Sequence, residues 1–279
     1  MKKNEFTLFL GGILAILALV AVTVTLLFAS SNPANSYELS IYQSTSQLVF
    51  FLLIFSLAIG LFITFYWGRQ RFWVIGVVLL LITRISIQWL PFIRGYYTLH
   101  GDHMSQIGYI KDVLNMGFIN PEDFYPATHI LLSSLVLITH LPLVPVANYS
   151  TVMMSTFSIL WLYLVSKSVL RDKEAQKVAV ALSVAIIFDR YSLYLMPNGW
   201  SIFFVPLIFY IFLRESEFES LSWKILLILV LFIIPFFHLL TALYMIVAFI
   251  IISIWTFFLN CIKENSWQKN SKKFLLSRH

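Results

Sequence analysis

Long apolar runs recur along this chain of 279 residues and constrain its fold more than any other feature. The first of them, residues 6–29, holds 24 residues without a charge. A bilayer core takes about 20 helical residues, and a lipid-exposed segment must satisfy its own backbone hydrogen bonds, as a helix does. Several such runs predict an all-α, polytopic membrane bundle. The first run exceeds the roughly 7–15 residues of a signal-peptide core, so we expect an uncleaved helix.

Composition supports the same class and excludes several others. Charged residues make up 11% of the chain and hydrophobic residues 59%, whereas a soluble domain carries about 25% charged residues. The formal net charge is +6, but Lys and Arg lie in short groups between apolar runs. This pattern is typical of cytoplasmic membrane loops and not of a nucleic-acid interface. A single cysteine, Cys261, excludes a disulfide framework and a cysteine-based metal site.

Eight transmembrane helices are predicted, and the basic residues orient them. The predicted spans are 6–29, 46–67, 72–93, 149–169, 176–196, 199–214, 221–237 and 239–260. A ninth apolar segment, 127–145, either crosses the membrane or stays on one side. If it does not cross, fifteen Lys and Arg residues lie inside and three outside, whereas crossing leaves five inside and thirteen outside. Because Lys and Arg favour the cytoplasmic side, 127–145 is predicted to be a re-entrant or surface helix outside.

This topology divides the chain into three parts. Residues 1–71 form an N-terminal two-helix membrane segment, 72–260 a transmembrane core with an outer loop at 94–148, and 261–279 a basic cytoplasmic tail. We expect a multi-pass cell-membrane protein with both termini in the cytoplasm and loop 94–148 outside.

The outer loop holds the side chains best suited to chemistry. Residues 94–130 of this loop contain three histidines and four carboxylates, namely His100, His103, His129, Asp102, Asp112, Glu122 and Asp123. Apolar residues recur at helical spacing over 103–117, which predicts a short amphipathic helix along the membrane surface. Asp102 lies where the N-cap of this helix belongs, which is an ordinary stabilising role. Loops of this length are usually functional.

Two further parts of the outer loop have both an ordinary and a functional explanation. Glu122 and Asp123 follow a proline, so they form either a solvated turn or a second acidic element facing the same site. His129, together with Tyr125 and Pro126, opens the next predicted helix and is either a hydrogen-bonded interface residue or a ligand. The sequence leaves these alternatives open.

Arg84 lies inside the third predicted span, where an arginine needs a partner or a cavity. Gln88 is one turn away on the same face, so the two residues could line a polar groove that opens outward. Alternatively, Arg84 pairs with Asp189 at the outer end of the fifth span.

The order of these features resembles the GT-C glycosyltransferases, such as the protein O-mannosyltransferases, the aminoarabinose transferases and the catalytic subunits of oligosaccharyltransferases. The resemblance covers roughly residues 72–260. It rests on Gly101-Asp102, the amphipathic segment 103–117, Phe124-Tyr125-Pro126 before His129, the basic turn 170–173 and the His238-containing hairpin 237–241. The chain departs from these families in its two additional leading spans and in Gln106, where a histidine is expected. Most members also continue beyond this length, so we expect a fragment, a half-length relative or a partner subunit.

The resemblance implies an enzyme that transfers a sugar from a polyprenyl-phosphate donor to an acceptor on the outer face, with inversion. Asp102 would be the general base. Candidates for binding substrate and lipid phosphate are Arg84, Arg94, His103, Tyr125, His129, Arg190 and His238. Some of these families need a divalent metal, and Asp102, Glu122 and Asp123 would hold Mg²⁺ or Mn²⁺ here. The implied partners are membrane lipid, the lipid-linked sugar and a further membrane subunit.

Two other function classes remain compatible with the sequence. In a transporter or flippase, Arg84 and the polar ends of short helices would form a site near the membrane midplane. Alternatively, the chain is a non-catalytic membrane subunit of a surface-polysaccharide assembly system.

Overall fold

The computed structural model describes residues 3–35, 38, 40–66, 72–97, 101–186 and 190–276, with side chains for all of these except 3–8, 185–186, 190 and 259–276. Within these ranges the chain is all-α and has no strand. The helices are α1 (Lys3–Ser31), α2 (Ile41–Ser44), α3 (Gln47–Tyr66), α4 (Trp73–Ile93), α5 (Gly101–Met116), α6 (Pro126–Thr139), α7 (Leu143–Val169), α8 (Lys173–Ile186), α9 (Pro197–Phe218), α10 (Leu221–Phe237) and α11 (Leu239–Leu276).

Several of these helices are membrane-spanning by length and composition. Five segments of the described chain qualify, namely Phe9–Ser31, Gln47–Tyr66, Trp73–Ile93, Leu143–Val169 and Leu239–Phe258. Large apolar side chains remain exposed along the bundle, including Phe51, Phe232 and Ile251. Contiguous apolar surface of this extent indicates contact with lipid. The protein is therefore a helical bundle of the integral membrane class.

The other three predicted spans correspond to helices that are shorter or more polar. Helix α8 begins at Lys173, three residues before the predicted span 176–196, and its last described residue is Ile186; a short 3-10 turn lies at Arg190–Ser192. Helix α9 is long, but it begins at Pro197-Asn198-Gly199 and has charged residues in its last turns. Helix α10 has 17 residues, slightly fewer than a bilayer core requires. The described residues thus contain five apolar spans where eight were predicted.

Segment 127–145 forms a short helix that is separate from the following span. Helix α6 has 14 residues and is about 21 Å long, which is less than the roughly 30 Å of a bilayer core. His140 ends it in a left-handed conformation with φ 55°. Helix α7 begins three residues later at Leu143, six residues before the predicted start of that span. On which side of the membrane α6 lies stays a prediction.

The predicted amphipathic helix is present as α5, which nine residues separate from α6 in the polar part of the chain. It buries His103, Ile107 and Ile110. Asp102 lies in the first turn of α5 and not at its N-cap, where a carboxylate still favours the positive end of the helix dipole. The position of α5 at a membrane surface stays a prediction.

An apolar cluster fixes the polar end of the bundle. Buried residues of α5, α6, α7, α9 and α10 meet there, namely Ile107, Ile110, Leu132, Val146, Ala147, Trp200 and Phe237, together with Leu195 before α9. This cluster holds α5 and α6 against the ends of the longer helices. It therefore sets the spacing of the polar side chains described next.

Candidate functional site

A cavity of about 630 Å³ lies between α5, the turn after α4 and the beginning of α7. We call it the α5–α7 cavity. Its polar and aromatic lining consists of Phe92, Tyr96, Tyr97, Lys111, Asn115, Asn148 and Tyr149. Lys111 is exposed and forms no ion pair with any residue whose side chain is described. The cavity therefore offers an unneutralised cation beside aromatic rings.

Asn148 supplies a second polar group at this cavity. Its Nδ2 donates a hydrogen bond to the carbonyl oxygen of Tyr97 at 3.1 Å. This contact fixes the amide orientation, because the flipped amide would bring two acceptor oxygens together. The Oδ1 atom is buried and accepts no hydrogen bond from the described part of the protein. A buried acceptor of this kind costs about 1–3 kcal/mol when unsatisfied. Because the oxygen is inaccessible in this conformation, a donor on a bound ligand stabilises it only if the side chain or the cavity lining shifts on binding.

An apolar cavity of about 440 Å³ adjoins the α5–α7 cavity. We call it the α6–α7 cavity; its lining includes Leu131, Leu135, Met153, Met154, Phe157 and Trp200. Pro145 and Tyr149 line both cavities, so the two spaces meet at these residues. One space suits an apolar chain and the other a polar, anionic group. Together they fit an amphiphilic ligand.

His129 is held from both sides in the interface between α5 and α6. Its Nδ1 lies 2.5 Å from Asp123 Oδ2 and its Nε2 lies 2.7 Å from Gln106 Oε1. Its ring stacks on Tyr109 with 5.3 Å between centroids, and the side chain is 1% exposed. Both ring nitrogens are occupied, so His129 is a hydrogen-bonded interface residue and not a free ligand for a lipid phosphate.

Asp123 belongs to the same arrangement. Its second oxygen, Oδ1, accepts the backbone N–H of Tyr125 at 3.0 Å, while Glu122 is exposed and its N–H bonds to Asn120 Oδ1. Within the described ranges, no three His, Cys, Asp or Glu side chains form a group that could hold a metal. The predicted metal set of Asp102, Glu122 and Asp123 is therefore not brought together. The dependence on a metal stays a prediction.

His238 lies at the hairpin between α10 and α11, as the sequence predicted. Its Nδ1 lies 3.0 Å from Thr241 Oγ1, and its ring packs against Tyr125 with 5.2 Å between centroids. Burial lowers the pKa of the His238 imidazole below its ordinary value, so the neutral ring is favoured. His238 and Tyr125 are thus brought together, and within the described part of the chain only one ring nitrogen of His238 has a hydrogen-bond partner.

Arg94 is part of a structural cluster that the sequence did not reveal. Its guanidinium binds both carboxylate oxygens of Glu38, at 2.6 and 2.9 Å, and also Thr45 Oγ1 at 2.9 Å. Tyr96 donates its hydroxyl to the same carboxylate. The hydrogen bonds from Arg94 lower the pKa of Glu38, and burial, followed by Glu38, raises that of Tyr96. Arg94 therefore ties the segment after α1 to the end of α4 and is not a phosphate ligand here.

Arg84 and Gln88 lie in the packed interior and do not open into an outward groove. Arg84 is fully buried, and its Nη1 donates to the carbonyl oxygen of Val184 in α8 at 3.2 Å. Gln88 Oε1 lies 3.4 Å from Ser155 Oγ in α7, whose hydroxyl also lies 3.0 Å from the carbonyl oxygen of Val152. These contacts hold α4 against α7 and α8. Asp189, the proposed partner of Arg84, lies outside the described residues.

The remaining predicted site residues lie in α5 and before α9. Asp102 is exposed, and helical periodicity places it on the side of α5 that carries Gln106, opposite Lys111. His103 is fully buried and accepts the backbone N–H of Leu195 at 3.2 Å, so it connects α5 to the segment before α9. Arg190 lies in the 3-10 turn, and its side chain is not among those described.

The sequence pointed to none of Lys111, Asn148 and Glu38 as site residues. Lys111 could have been noticed as one of three cations in the predicted outer segments. Asn148 and Glu38 gave no signal, because their partners are 51 and 56 residues away in sequence.

No family model matches this sequence, and no curated protein or solved structure matches it either.

Proposed function

We propose that this protein is a membrane glycosyltransferase that uses a polyprenyl-phosphate-linked sugar as donor. One observation carries the proposal: Lys111 and Asn148 line a cavity that meets an apolar cavity at Tyr149. A lipid-linked glycosyl phosphate has the three matching parts, namely an apolar chain, an anion and hydroxyl donors. The fine topology belongs to the same proposal, with eight crossings, both termini cytoplasmic and the cavity on the outer side.

The donor would bind with its parts in a fixed order. The prenyl chain lies in the α6–α7 cavity, which is lined by Met153, Phe157 and other apolar residues. The phosphate forms a charge-assisted hydrogen bond with Lys111. A sugar hydroxyl donates to Asn148 Oδ1 and so satisfies the buried acceptor. Lys111 thus takes the role that the sequence gave to Arg94 and His129.

In the transfer step an acceptor hydroxyl attacks the anomeric carbon of the donor. The new C–O bond forms while the bond between the anomeric carbon and the phosphate oxygen breaks, and the phosphate leaves with the electron pair. A single displacement of this kind inverts the anomeric centre. Asp102 takes the proton of the acceptor hydroxyl as general base. Asp102 lies nine residues before Lys111 on the opposite side of α5, about 13 Å away along the helix axis, so its assignment as base rests on the resemblance alone and is tested by the variants below.

The test compares two aspartates of the same helix. The full chain is reconstituted in lipid vesicles with polyprenyl-phosphate-linked hexoses, with water supplying the acceptor hydroxyl, and the hydrolytic release of polyprenyl phosphate and free hexose is measured. Asp102→Asn should lower the release at least 100-fold, within the range of general-base catalysis. Asp112→Asn, a matched change of an exposed residue in α5, should leave it unchanged. Equal release by both variants would remove Asp102 as the base.

A wild-type chain that binds the donor but releases no polyprenyl phosphate would overturn the enzyme proposal. Movement of the intact lipid-linked sugar across the vesicle membrane would then indicate a transporter or flippase. Binding without either activity would indicate a non-catalytic membrane subunit.

A further inference from the structure

A third cavity, of about 420 Å³, lies beside His238 between α9 and α11. We call it the His238 groove. Its polar residues are Tyr191, Asn198, His238, Thr241 and Tyr244, and its apolar residues include Ile202, Val205, Met245 and Ala248. The residues described along it include no charged side chain.

A chain of hydrogen bonds fixes which nitrogen of His238 carries the proton. Ser201 Oγ donates to the carbonyl oxygen of Asn198 at 2.7 Å, which uses its only hydroxyl hydrogen. The contact of 2.8 Å between Ser201 Oγ and Thr241 Oγ1 must therefore be donated by Thr241. The hydrogen of Thr241 is then used, so the contact of 3.0 Å with His238 Nδ1 must be donated by the imidazole ring.

The neutral His238 ring therefore has its hydrogen on Nδ1 and a lone pair on Nε2. The ring is partly exposed. Its Nε2 atom forms no hydrogen bond with any group that the structure describes, and it is not among the buried atoms that lack a partner, so it is accessible. Since burial lowers the pKa of this imidazole, the ring keeps that lone pair at neutral pH. His238 thus presents a hydrogen-bond acceptor at the polar end of the groove.

We propose that the His238 groove binds an uncharged lipid through a hydroxyl group that donates to Nε2 of His238. The acceptor at Nε2 requires a donor on the ligand, and the groove offers no described charge to an anionic or cationic head group. Ile202, Val205 and Met245 continue from the polar end along α9 and α11, where an alkyl or prenyl chain fits. This site differs from the α5–α7 cavity, whose Lys111 selects an anion, and it does not depend on the proposed sugar transfer.

The test uses farnesol and its methyl ether, which share one apolar chain and differ by one O–H donor. Binding to the full-length chain in detergent micelles is measured by titration. Farnesol should bind about fivefold more tightly than the ether, the effect of one neutral hydrogen bond of about 1 kcal/mol. Equal affinity of the two probes would overturn the proposal.

Imidazole ¹⁵N NMR of the same sample measures directly which ring nitrogen of His238 carries the proton. The Nε2 resonance of His238, assigned by its absence in His238→Phe, should be that of an unprotonated nitrogen and should shift with farnesol but not with the ether. Protonation at Nε2, or no shift with farnesol, contradicts the proposal.

Two variants and a control complete the test. His238→Phe keeps an aromatic ring against Tyr125, and its affinity for farnesol should fall to that for the ether. Thr241→Val removes the acceptor for Nδ1–H, so both tautomers become populated and farnesol affinity falls about twofold. His140→Asn changes an exposed histidine in a left-handed position, which asparagine tolerates, and should change nothing. Unaltered farnesol affinity in both Thr241→Val and His238→Phe would overturn the site.

Discussion

His129 and His238 look equivalent in the sequence, but the structure gives them opposite properties. Both ring nitrogens of His129 are occupied by Asp123 and Gln106 in a nearly inaccessible interface. Among the described residues His238 has a hydrogen-bond partner at Nδ1 alone, and its side chain lines a cavity. The difference shows that a histidine in a polar layer can bind a ligand only with the hydrogen-bonding capacity that the fold leaves unused.

The two cations Arg94 and Lys111 differ in the same way, because the contacts of the fold occupy one side chain and not the other. The guanidinium of Arg94 is taken up by Glu38, Thr45 and nearby backbone oxygens. Lys111 lines a cavity and has no ion-pair partner among the described side chains. We therefore expect changes at His129 and Arg94 to act on stability, and changes at His238 and Lys111 to act on binding.

The largest expected effect is on stability at His129. The substitution His129→Phe leaves the nearly buried Asp123 carboxylate without its partner, and removal of one member of a buried pair costs about 3–5 kcal/mol. The melting temperature of the purified chain in detergent should therefore fall strongly. His238→Phe should lower it much less, because His238 is only partly buried. A smaller loss for His129→Phe than for His238→Phe would reverse the comparison.

The next effect is on anion binding at Lys111. Lys111→Gln removes the cation but keeps a long polar side chain, so the affinity for farnesyl phosphate should fall about 10- to 100-fold, the effect of a hydrogen bond to a charged group. Lys173→Gln, at an exposed residue of α8, is the matched control. The affinity for farnesol should stay the same in both variants, which separates the two sites.

A smaller effect is expected at Asn148. The substitution Asn148→Leu removes the buried acceptor Oδ1, so the affinity for a polyprenyl-phosphate-linked hexose should fall about fivefold. The affinity for farnesyl phosphate, which has no sugar, should not change. Equal losses for both ligands would mean that Asn148 only shapes the cavity and does not contact the sugar.

The smallest effect is the pH dependence of the Arg94 cluster. The pKa of Glu38 is lowered in the folded protein, so its contribution to stability is complete above the ordinary carboxylate pKa of about 4.3. This contribution to stability is lost as the pH falls through the lowered pKa of Glu38 in the folded protein. The melting temperature of wild type should therefore exceed that of Glu38→Gln by a constant margin from pH 7 to about 5, and this margin should shrink in stronger acid. A melting-temperature difference that grows as the pH falls would contradict a lowered pKa of Glu38 in the folded protein.

The parts of the fold that follow from local patterns could be predicted from the sequence. Helical periodicity predicted α5, and Tyr125-Pro126 marked the start of α6, because proline fits the first turn of a helix. Segment 176–196 was predicted as a span because of its apolar composition, which does not distinguish one continuous helix from α8 and a 3-10 turn.

The site was less predictable because its properties depend on contacts between distant residues. His129 meets Gln106 across 23 positions, and Arg94 meets Glu38 across 56. No local pattern specifies which ring nitrogen or which cation stays available after such contacts form. The cavities likewise result from how α5, α6 and α9 pack against α7.

Photo-crosslinking with a diazirine-bearing farnesyl phosphate tests the central claim most directly, that a lipid phosphate binds where the α5–α7 and α6–α7 cavities meet. Labelled peptides of the full-length chain are mapped by mass spectrometry, with unlabelled farnesyl phosphate as competitor. We predict competed labelling of α6 and α7 around Leu135, Met153 and Phe157, and its loss in Lys111→Gln. Labelling confined to the exposed faces of α10 and α11, or labelling that persists in Lys111→Gln, would contradict this account.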